Sequence, residues 1–440
     1  MPCRQLRYNS KNDWSPIAEW LKGRFVPDDQ AEGRVKAILA DVAARGDEAL
    51  TEYTQRFDCP DFTTAQLRVP ETEIKNAAQA IPAEDLNILR QAADNIRTFH
   101  QAQLRQSWWT TRPDGTVLGQ MVTPVDRAGL YVPGGQGGET PLVSSLLMNA
   151  IPALVAGVEE VALVSPPRKD GTLNEYILAA ADLLGITEVY RLGSAWAVAA
   201  LALGTDTVPP VDVIAGPGNI YVTTAKRLLA GQVGIDMIAG PSEIVVLADA
   251  TADPAWLAAD MLSQAEHDPL ASALLVTPYP TLAQNVLESL VEQRDKLPRS
   301  EIAKESLDNW GAVVVVPDME RGVELVNYLA PEHLELALED PWTVVPQIRN
   351  AGAVFMGSHT PEAVGDYFAG PNHVLPTLGT ARFSSALSVD TFRKETSIIA
   401  ASPAFVSAHG EKIARLARLE GLEAHARSME QRLGKQRLKK

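Results

Sequence analysis

The chain has 440 residues, of which 46% are hydrophobic and 21% charged, and it carries a formal net charge of −16. It is too long for one ordinary domain, and its balance suits a globular protein that buries a large core without staples. The negative charge excludes a phosphate-binding nucleic-acid surface and argues equally against an anionic membrane.

In chain order, Met1-Pro2-Cys3-Arg4-Gln5 lacks an apolar signal segment. Cys3 and Cys59 are the only cysteines. Two cannot build a disulfide framework or a Cys-rich metal site, and they fit a reduced, cytoplasmic, soluble protein. Asp28 to Phe57 is predicted helical, with Val35, Ile38, Leu39 and Val42 at helix spacing. Trp108 to Thr123 is predicted as a hairpin turning at Asp114-Gly115. A Gly-rich loop follows, Tyr131-Val132-Pro133-Gly134-Gly135-Gln136-Gly137-Gly138, and leads into a helix.

The pattern then alternates. Val161–Val164, Glu188–Arg191, Val211–Ile214 and Ile244–Leu247 are predicted as short buried strands separated by helices. Ala273–Val276, Ala312–Val316 and Ala353–Phe355 form a second such series. Short apolar strands alternating with helices imply parallel sheets covered on both faces. The expected fold class is α/β, with two doubly wound, incomplete Rossmann-like units, a helical N-terminal segment and a helical C-terminal tail. The expected division is 1–27 as N-terminal segment, 28–129 with 243–385 as a discontinuous first unit, 130–242 as the second, and 386–440 as a mainly helical tail. Apolar runs such as Ile151 to Val164 are interrupted by Pro, Gly or Glu and are too short to span a bilayer. The basic end, Lys435 to Lys440, is a solvated helix end on its charge pattern.

Seven histidines are present, and context decides which of them carry chemistry. Asp253-Pro254 starts a helix, and Gln264 and His267 follow three apart near its end. They fit either a shared metal or a polar helix end facing water. Glu332 and His333 in Pro331-Glu332-His333-Leu334 offer two proton acceptors in one pocket, or a charged loop before a strand. Asp366 and His373 sit in a loop shaped by Gly365, Gly370 and Pro371, which fits a site or a capped turn equally. Glu420 and His425 are five apart, so only a break at Gly421 lets them converge. Gly216-Pro217-Gly218-Asn219 follows a predicted strand and precedes a helix whose amides suit a phosphate or ribose.

Taken together, the motifs resemble the histidinol dehydrogenase family. They are Ser263-Gln264-Ala265-Glu266-His267-Asp268-Pro269, Pro331-Glu332-His333-Leu334, Gly370-Pro371-Asn372-His373-Val374-Leu375-Pro376-Thr377 and Glu420-Gly421-Leu422. Tyr131-Val132-Pro133-Gly134-Gly135, Gly216-Pro217-Gly218-Asn219 and Ala239-Gly240-Pro241-Ser242-Glu243 also match, in the family's order. The resemblance implies NAD-dependent oxidation of L-histidinol to L-histidine through bound L-histidinal, ending histidine biosynthesis. It implies one Zn(2+) per subunit, held by Gln264, His267, Asp366 and His425, with Glu332 and His333 catalytic. Substrate contacts fall on Ser242, Gln264, His267, His333, Asp366, Glu420 and His425. Cofactor contacts fall on Tyr131 and Asn219. It also implies intertwined homodimers, in which the tail of one subunit completes the site of the other.

Two departures fall on the cofactor side. Gly193-Ser194-Ala195-Trp196-Ala197 stands where the family has Gly-Gly-Ala-Gln-Ala, which makes Trp196 a further candidate cofactor contact, and the loop after Gly135 is longer. The alternatives are a sister zinc and NAD dehydrogenase of another small polar alcohol and, more remotely, an inactive zinc-bearing binding protein. The retained Glu420 and His425 favour histidinol, and the retained Glu332 and His333 favour an enzyme.

Overall fold

The computed structural model describes residues 3–24, 29–135 and 140–437. Gln136, Gly137 and Gly138 of the predicted Gly-rich loop lie outside the described residues. The chain separates into two compact units, Met1–Gln103 with Val125–Phe392, and Leu104–Pro124 with Arg393–Lys440.

The first unit holds two parallel sheets. One has six strands in the order Arg4–Arg7, Ala312–Val315, Ser272–Thr277, Glu243–Ala248, His333–Ala337 and Ala353–Met356. Its four inner strands are buried on both faces, as apolar runs in a parallel sheet require. Successive side chains therefore feed opposite cores. Ile244, Val246, Ala273 and Leu275 meet the helices Pro254–Ala265 and Pro280–Arg294. Val245, Leu247, Leu274 and Val276 meet the helix Met319–Leu329. The other sheet has five strands in the order Glu188–Arg191, Glu160–Ser165, Arg127–Tyr131, Val213–Ala215 and Gly234–Ile235. Ala128, Leu130, Val161 and Leu163 face the helices Val143–Ala156 and Glu175–Leu183. Tyr131, Ala162, Val164 and Ile214 face the helices Asp29–Arg45, Ser194–Leu203 and Ile220–Leu229.

Three strands missing from the sequence reading share a reason: each carries polar side chains. Arg4–Arg7 reads Arg-Gln-Leu-Arg and is an edge strand, so one flank needs no apolar cover. Arg127–Tyr131 opens on an arginine whose guanidinium reaches Glu160 at 2.7 Å and also binds Glu188. His333–Ala337 alternates apolar residues with His333 and Glu335 because it carries part of the site. The strand expected over Val211–Ile214 begins later, at Val213, with Asp212 tied to the amides of Asp126 and Arg127 at 3.0 and 2.9 Å.

The second unit holds the antiparallel hairpin Trp108–Thr111 and Val117–Pro124. Gly115 turns it at φ +83°, a conformation that favours glycine. A third strand, Arg393–Ala400, pairs antiparallel with Val117–Pro124, so the tail expected to be mainly helical opens on a strand. The helices Pro403–Leu419 and Glu423–Arg437 follow. Gly421 breaks them at φ +77°, and Arg418 spans the break to Glu423 at 2.8 Å and Glu430 at 2.7 Å. Among the described residues no helix is long and apolar enough to cross a membrane.

Candidate active site

The helix Pro254–Ala265 starts where Asp253 accepts hydrogen bonds from the amides of Ala255 (2.7 Å) and Trp256 (3.4 Å). Its apolar face anchors it on the six-stranded sheet and carries Gln264 into full burial. The helix ends at Ala265, so His267 is not on its face, as expected from spacing, but in the turn beyond it. There the His267 amide donates to the Gln264 carbonyl at 3.2 Å. The His267 side chain reaches solvent, yet desolvation still lowers its pKa.

Glu332 and His333 stand at the amino-terminal edge of the same sheet, where His333 opens its strand beside Ile244. One neighbour serves both. The Glu243 amide donates to Glu332 Oε2 at 2.9 Å, and the Glu243 carbonyl lies 3.1 Å from His333 Nδ1. A carbonyl can only accept, so Nδ1 carries the proton. Gln264 Oε1, also 3.1 Å from Nδ1, is a second acceptor. His333 Nε2 is thereby left as a lone-pair nitrogen, and it is buried with no partner. Burial pushes the His333 pKa down to about 3, and His267 and His373 nearby push it the same way. The imidazole is neutral and ready to accept a proton. Burial raises the Glu332 carboxyl well above the usual range, against the opposing pull of the Glu243 amide.

His333 Nε2 faces Glu362 Oε1 at 3.7 Å and Asp366 Oδ1 at 3.9 Å. Neither approach is an ion pair, because burial holds the ring uncharged. His333, Glu362 and Asp366 bring ligand-capable atoms within 4.8 Å of one another. Burial raises Asp366 to about 7 and Glu362 well above its ordinary value. No arginine or lysine stands among the main influences on either. Two buried carboxyl groups without a cation are expensive, and a divalent ion beside nitrogen and amide-oxygen donors offsets that cost. The donor set therefore fits a metal. His373 sits beside the cluster: burial lowers its pKa to about 4, and its Nδ1 lies 3.1 Å from the Asp366 carbonyl, which it can only meet as a donor. Gly370 shapes this loop. Its φ is +112°, and a side chain there would meet the Asn95 carbonyl oxygen at 2.7 Å.

Glu362 was not singled out from sequence. Its signal was present: Glu362 and Asp366 are four apart, one helical turn. The helix is short (Glu362–Val364, then a π-turn over Gly365–Ala369), so no apolar periodicity advertised it. Ser242 precedes Glu243 and is half-buried. Glu420 and His425 lie on exposed positions of the second unit, on either side of Gly421.

Tyr131 and Asn219 flank a different place. In the five-stranded sheet the strand order reverses between Arg127–Tyr131 and Val213–Ala215. Ligands of open α/β sheets bind outside the carboxyl ends of strands at such a reversal. Tyr131 ends one of these strands, and Gly216 to Asn219 leave the other. A side chain at Gly216 (φ +123°) would strike the Tyr131 carbonyl oxygen at 2.0 Å, so the backbones touch there. The Tyr131 hydroxyl accepts from the Ser194 amide at 3.2 Å. Asn219 caps its helix through Oδ1, at 3.0 and 3.2 Å from the amides of Tyr221 and Val222.

Trp196 is 4% exposed and stacked between Tyr53 and Phe57 at 5.8 and 5.5 Å, with its indole N–H buried and unpartnered. A ring so enclosed is a core element, whatever else it touches. Trp196→Ala is expected to cost ~3–5 kcal/mol of unfolding free energy. Chemical denaturation monitored by circular dichroism would measure it, and a loss under about 1 kcal/mol would show that the ring does not carry this core.

A family model described as histidinol dehydrogenase matches residues 24–433. The chain is 63% identical to the histidinol dehydrogenase of Nitratidesulfovibrio vulgaris over 436 residues, covering 99% of this chain and 100% of that one. It is 53% identical to that of Bacillus subtilis over 398 residues, covering 90% and 92%. The crystal structure of histidinol dehydrogenase from Elizabethkingia anophelis superposes with a TM-score of 0.93 at 34% identity, covering 99% of each chain.

Proposed function

The chain belongs to the histidinol dehydrogenase family, and from that premise we propose that it oxidises L-histidinol to L-histidine in two NAD-dependent steps at one site. The observation that carries this reading is the backbone of Glu243. It holds Glu332 by its amide and His333 by its carbonyl, leaving His333 Nε2 open beside Asp366.

In the first oxidation His333 Nε2 takes the hydroxyl proton as hydride leaves the carbinol carbon. The aldehyde stays in the pocket. Glu332 then takes a proton from water as the oxygen adds to the aldehyde carbon, and the hydrate loses a second hydride and proton. NAD, when bound, supplies the hydride acceptor in each step. Tyr131, Trp196 and Asn219 are the groups proposed to meet it. The strand reversal supports that placement, and the Trp196 indole N–H is an unspent donor.

Gln264, His267, Asp366 and His425 are the proposed zinc ligands. Bound there, zinc supplies a Lewis-acid anchor for the substrate's amine and imidazole. Ser242, Gln264, His267, His333, Asp366, Glu420 and His425 are the proposed substrate contacts. The carboxylate of Glu420 suits an imidazole N–H through a charge-assisted hydrogen bond.

A homodimer with shared sites is part of this reading. The second unit leaves large apolar side chains exposed, including Trp109 (68%), Ile399 (76%) and Leu419 (75%). Exposed apolar side chains of this size support a surface that a second copy covers. The buried, unpaired Cys3 and Cys59 suit a reducing cytoplasm.

Stoichiometry tests the central claim. Two NADH should form per L-histidinol consumed, with no free aldehyde trapped by an added amine. One NADH with aldehyde released would replace this reading with an ordinary alcohol dehydrogenase, and no turnover of histidinol beside turnover of another small polar alcohol would favour a sister enzyme.

A further inference from the structure

We propose that Arg24 is a positioning residue for the reacting pair: its guanidinium holds the segment Pro241 to Glu243, whose last residue sets both Glu332 and His333 through its backbone. The inference rests on the roles proposed above for those two residues.

Arg24 follows the helix Trp14–Lys22, far in sequence from everything it touches. Its side chain is buried and spends four hydrogen bonds. Nη1 donates to Glu243 Oε2 at 2.5 Å. Nη2 donates to the carbonyls of Pro241 and Ser242 at 3.0 and 2.9 Å. Nε donates to the Leu270 carbonyl at 3.1 Å. Four of the five N–H groups of a guanidinium are thus committed, three of them to backbone. The Ser242 carbonyl also accepts from the Ser272 amide at 3.1 Å. One side chain therefore ties two loops. One loop carries Pro241 and Ser242 into the strand that Glu243 opens, and the other runs on from His267 through Asp268 and Pro269.

A buried ion pair is poor evidence for stability alone, since apolar replacements of such pairs often fold as well or better. What this pair does have is direction. Arg24 grips the Ser242 carbonyl, which shares a peptide plane with the Glu243 amide that donates to Glu332, and the next peptide group along carries the Glu243 carbonyl that faces His333. If Glu243 O withdrew, Nδ1 of His333 would lose one of its two acceptors and keep only Gln264 Oε1 to hold the ring and its tautomer. Lysine in place of Arg24 keeps the positive charge for Glu243 but not the planar fork that reaches three carbonyls. Arg24→Lys therefore separates charge from position.

The test is a double-mutant cycle on the holoenzyme, read with L-histidinal as substrate so that only the water-dependent step is followed. Arg24→Lys should fold, keep its metal content and lose on the order of 10- to 100-fold in kcat, more than any change in KM, as a small misplacement of reacting groups does. In the Glu332→Gln background the same change should cost far less, because the group it positions is already disabled. A Glu243→Gln variant, which keeps the peptide and weakens the anchor, should show the same non-additivity and decides the matter if Arg24→Lys does not fold. Losses that multiply within about twofold, or normal kinetics in a folded Arg24→Lys beside a crippled Glu332→Gln, would overturn the inference. Normal histidinal oxidation by Glu332→Gln would instead bring down the role proposed for Glu332, and Arg24's with it.

Discussion

His333→Asn is expected to slow the first oxidation, histidinol to aldehyde, by on the order of 10² to 10⁴, the usual worth of a positioned acid–base group. The asparagine amide can still donate to the Glu243 carbonyl, as Nδ1–H does at 3.1 Å. It has nothing in place of the lone pair on Nε2, which in the native protein is buried without a partner. The loss is therefore chemical rather than architectural, and melting temperature should move little. Glu332→Gln behaves differently. Its amide oxygen can still accept from the Glu243 amide, as Oε2 does at 2.9 Å. It cannot take a proton from water. The first oxidation should be spared and the second blocked, so one NADH per site appears in a burst and the aldehyde remains bound. Rapid mixing with histidinol, then separately with histidinal, resolves the two steps. Metal content provides an independent check. His333, Glu362 and Asp366 lie close enough to be a coordination set themselves. If His333 is a base and not a ligand, His333→Asn keeps its zinc. Loss of zinc would move His333 into the ligand set, and equal loss in both steps for both variants would remove the division of labour.

The sequence was most legible where burial is symmetrical. Glu243–Ala248 and Ser272–Thr277 are apolar on both faces, so their runs announce parallel strands without any periodicity to decipher. It was least legible where function puts polar groups into the core. His333–Ala337 is a fully buried strand, yet His333 and Glu335 break its apolar run. Glu335 is there to hold the next loop: it accepts from the Glu362 amide at 3.0 Å. Its partner Asp260 has no motif either, though burial raises both carboxyl groups above their ordinary range. Motifs exposed most candidates that act by side-chain chemistry, Glu362 excepted. They could not expose those that act by backbone. Glu243 contributes an amide and a carbonyl, which any residue has, and Arg24 contributes reach across the chain. Trp196 adds a packing role that its motif position did not expose: its ring stacks on Tyr53 and Phe57, two residues of a helix far from it in sequence.

Mixing two inactive variants should restore activity. Asp366, His267 and Gln264 belong to the first unit, whereas His425 is exposed on the helix Glu423–Arg437 of the second. The homodimer reading has His425 of one subunit serve the zinc of the other. His267→Asn and His425→Asn should each abolish nearly all turnover, since each removes a proposed zinc ligand. After reversible dissociation and mixing in equal amounts, about half the dimers pair one variant with the other under random two-fold assembly. In such a dimer one site combines the His267→Asn pocket with the His425→Asn tail and is doubly damaged. The other combines an intact pocket with an intact tail. Roughly a quarter of wild-type activity should therefore return, with zinc bound at about the same fraction of sites. Should His425 serve its own subunit instead, every site in every dimer keeps one lesion. Activity would then stay at the level of the separate variants even when subunit exchange is confirmed by mass. That outcome removes the shared site while leaving the zinc ligands, and the chemistry proposed for Glu332 and His333, as they stand.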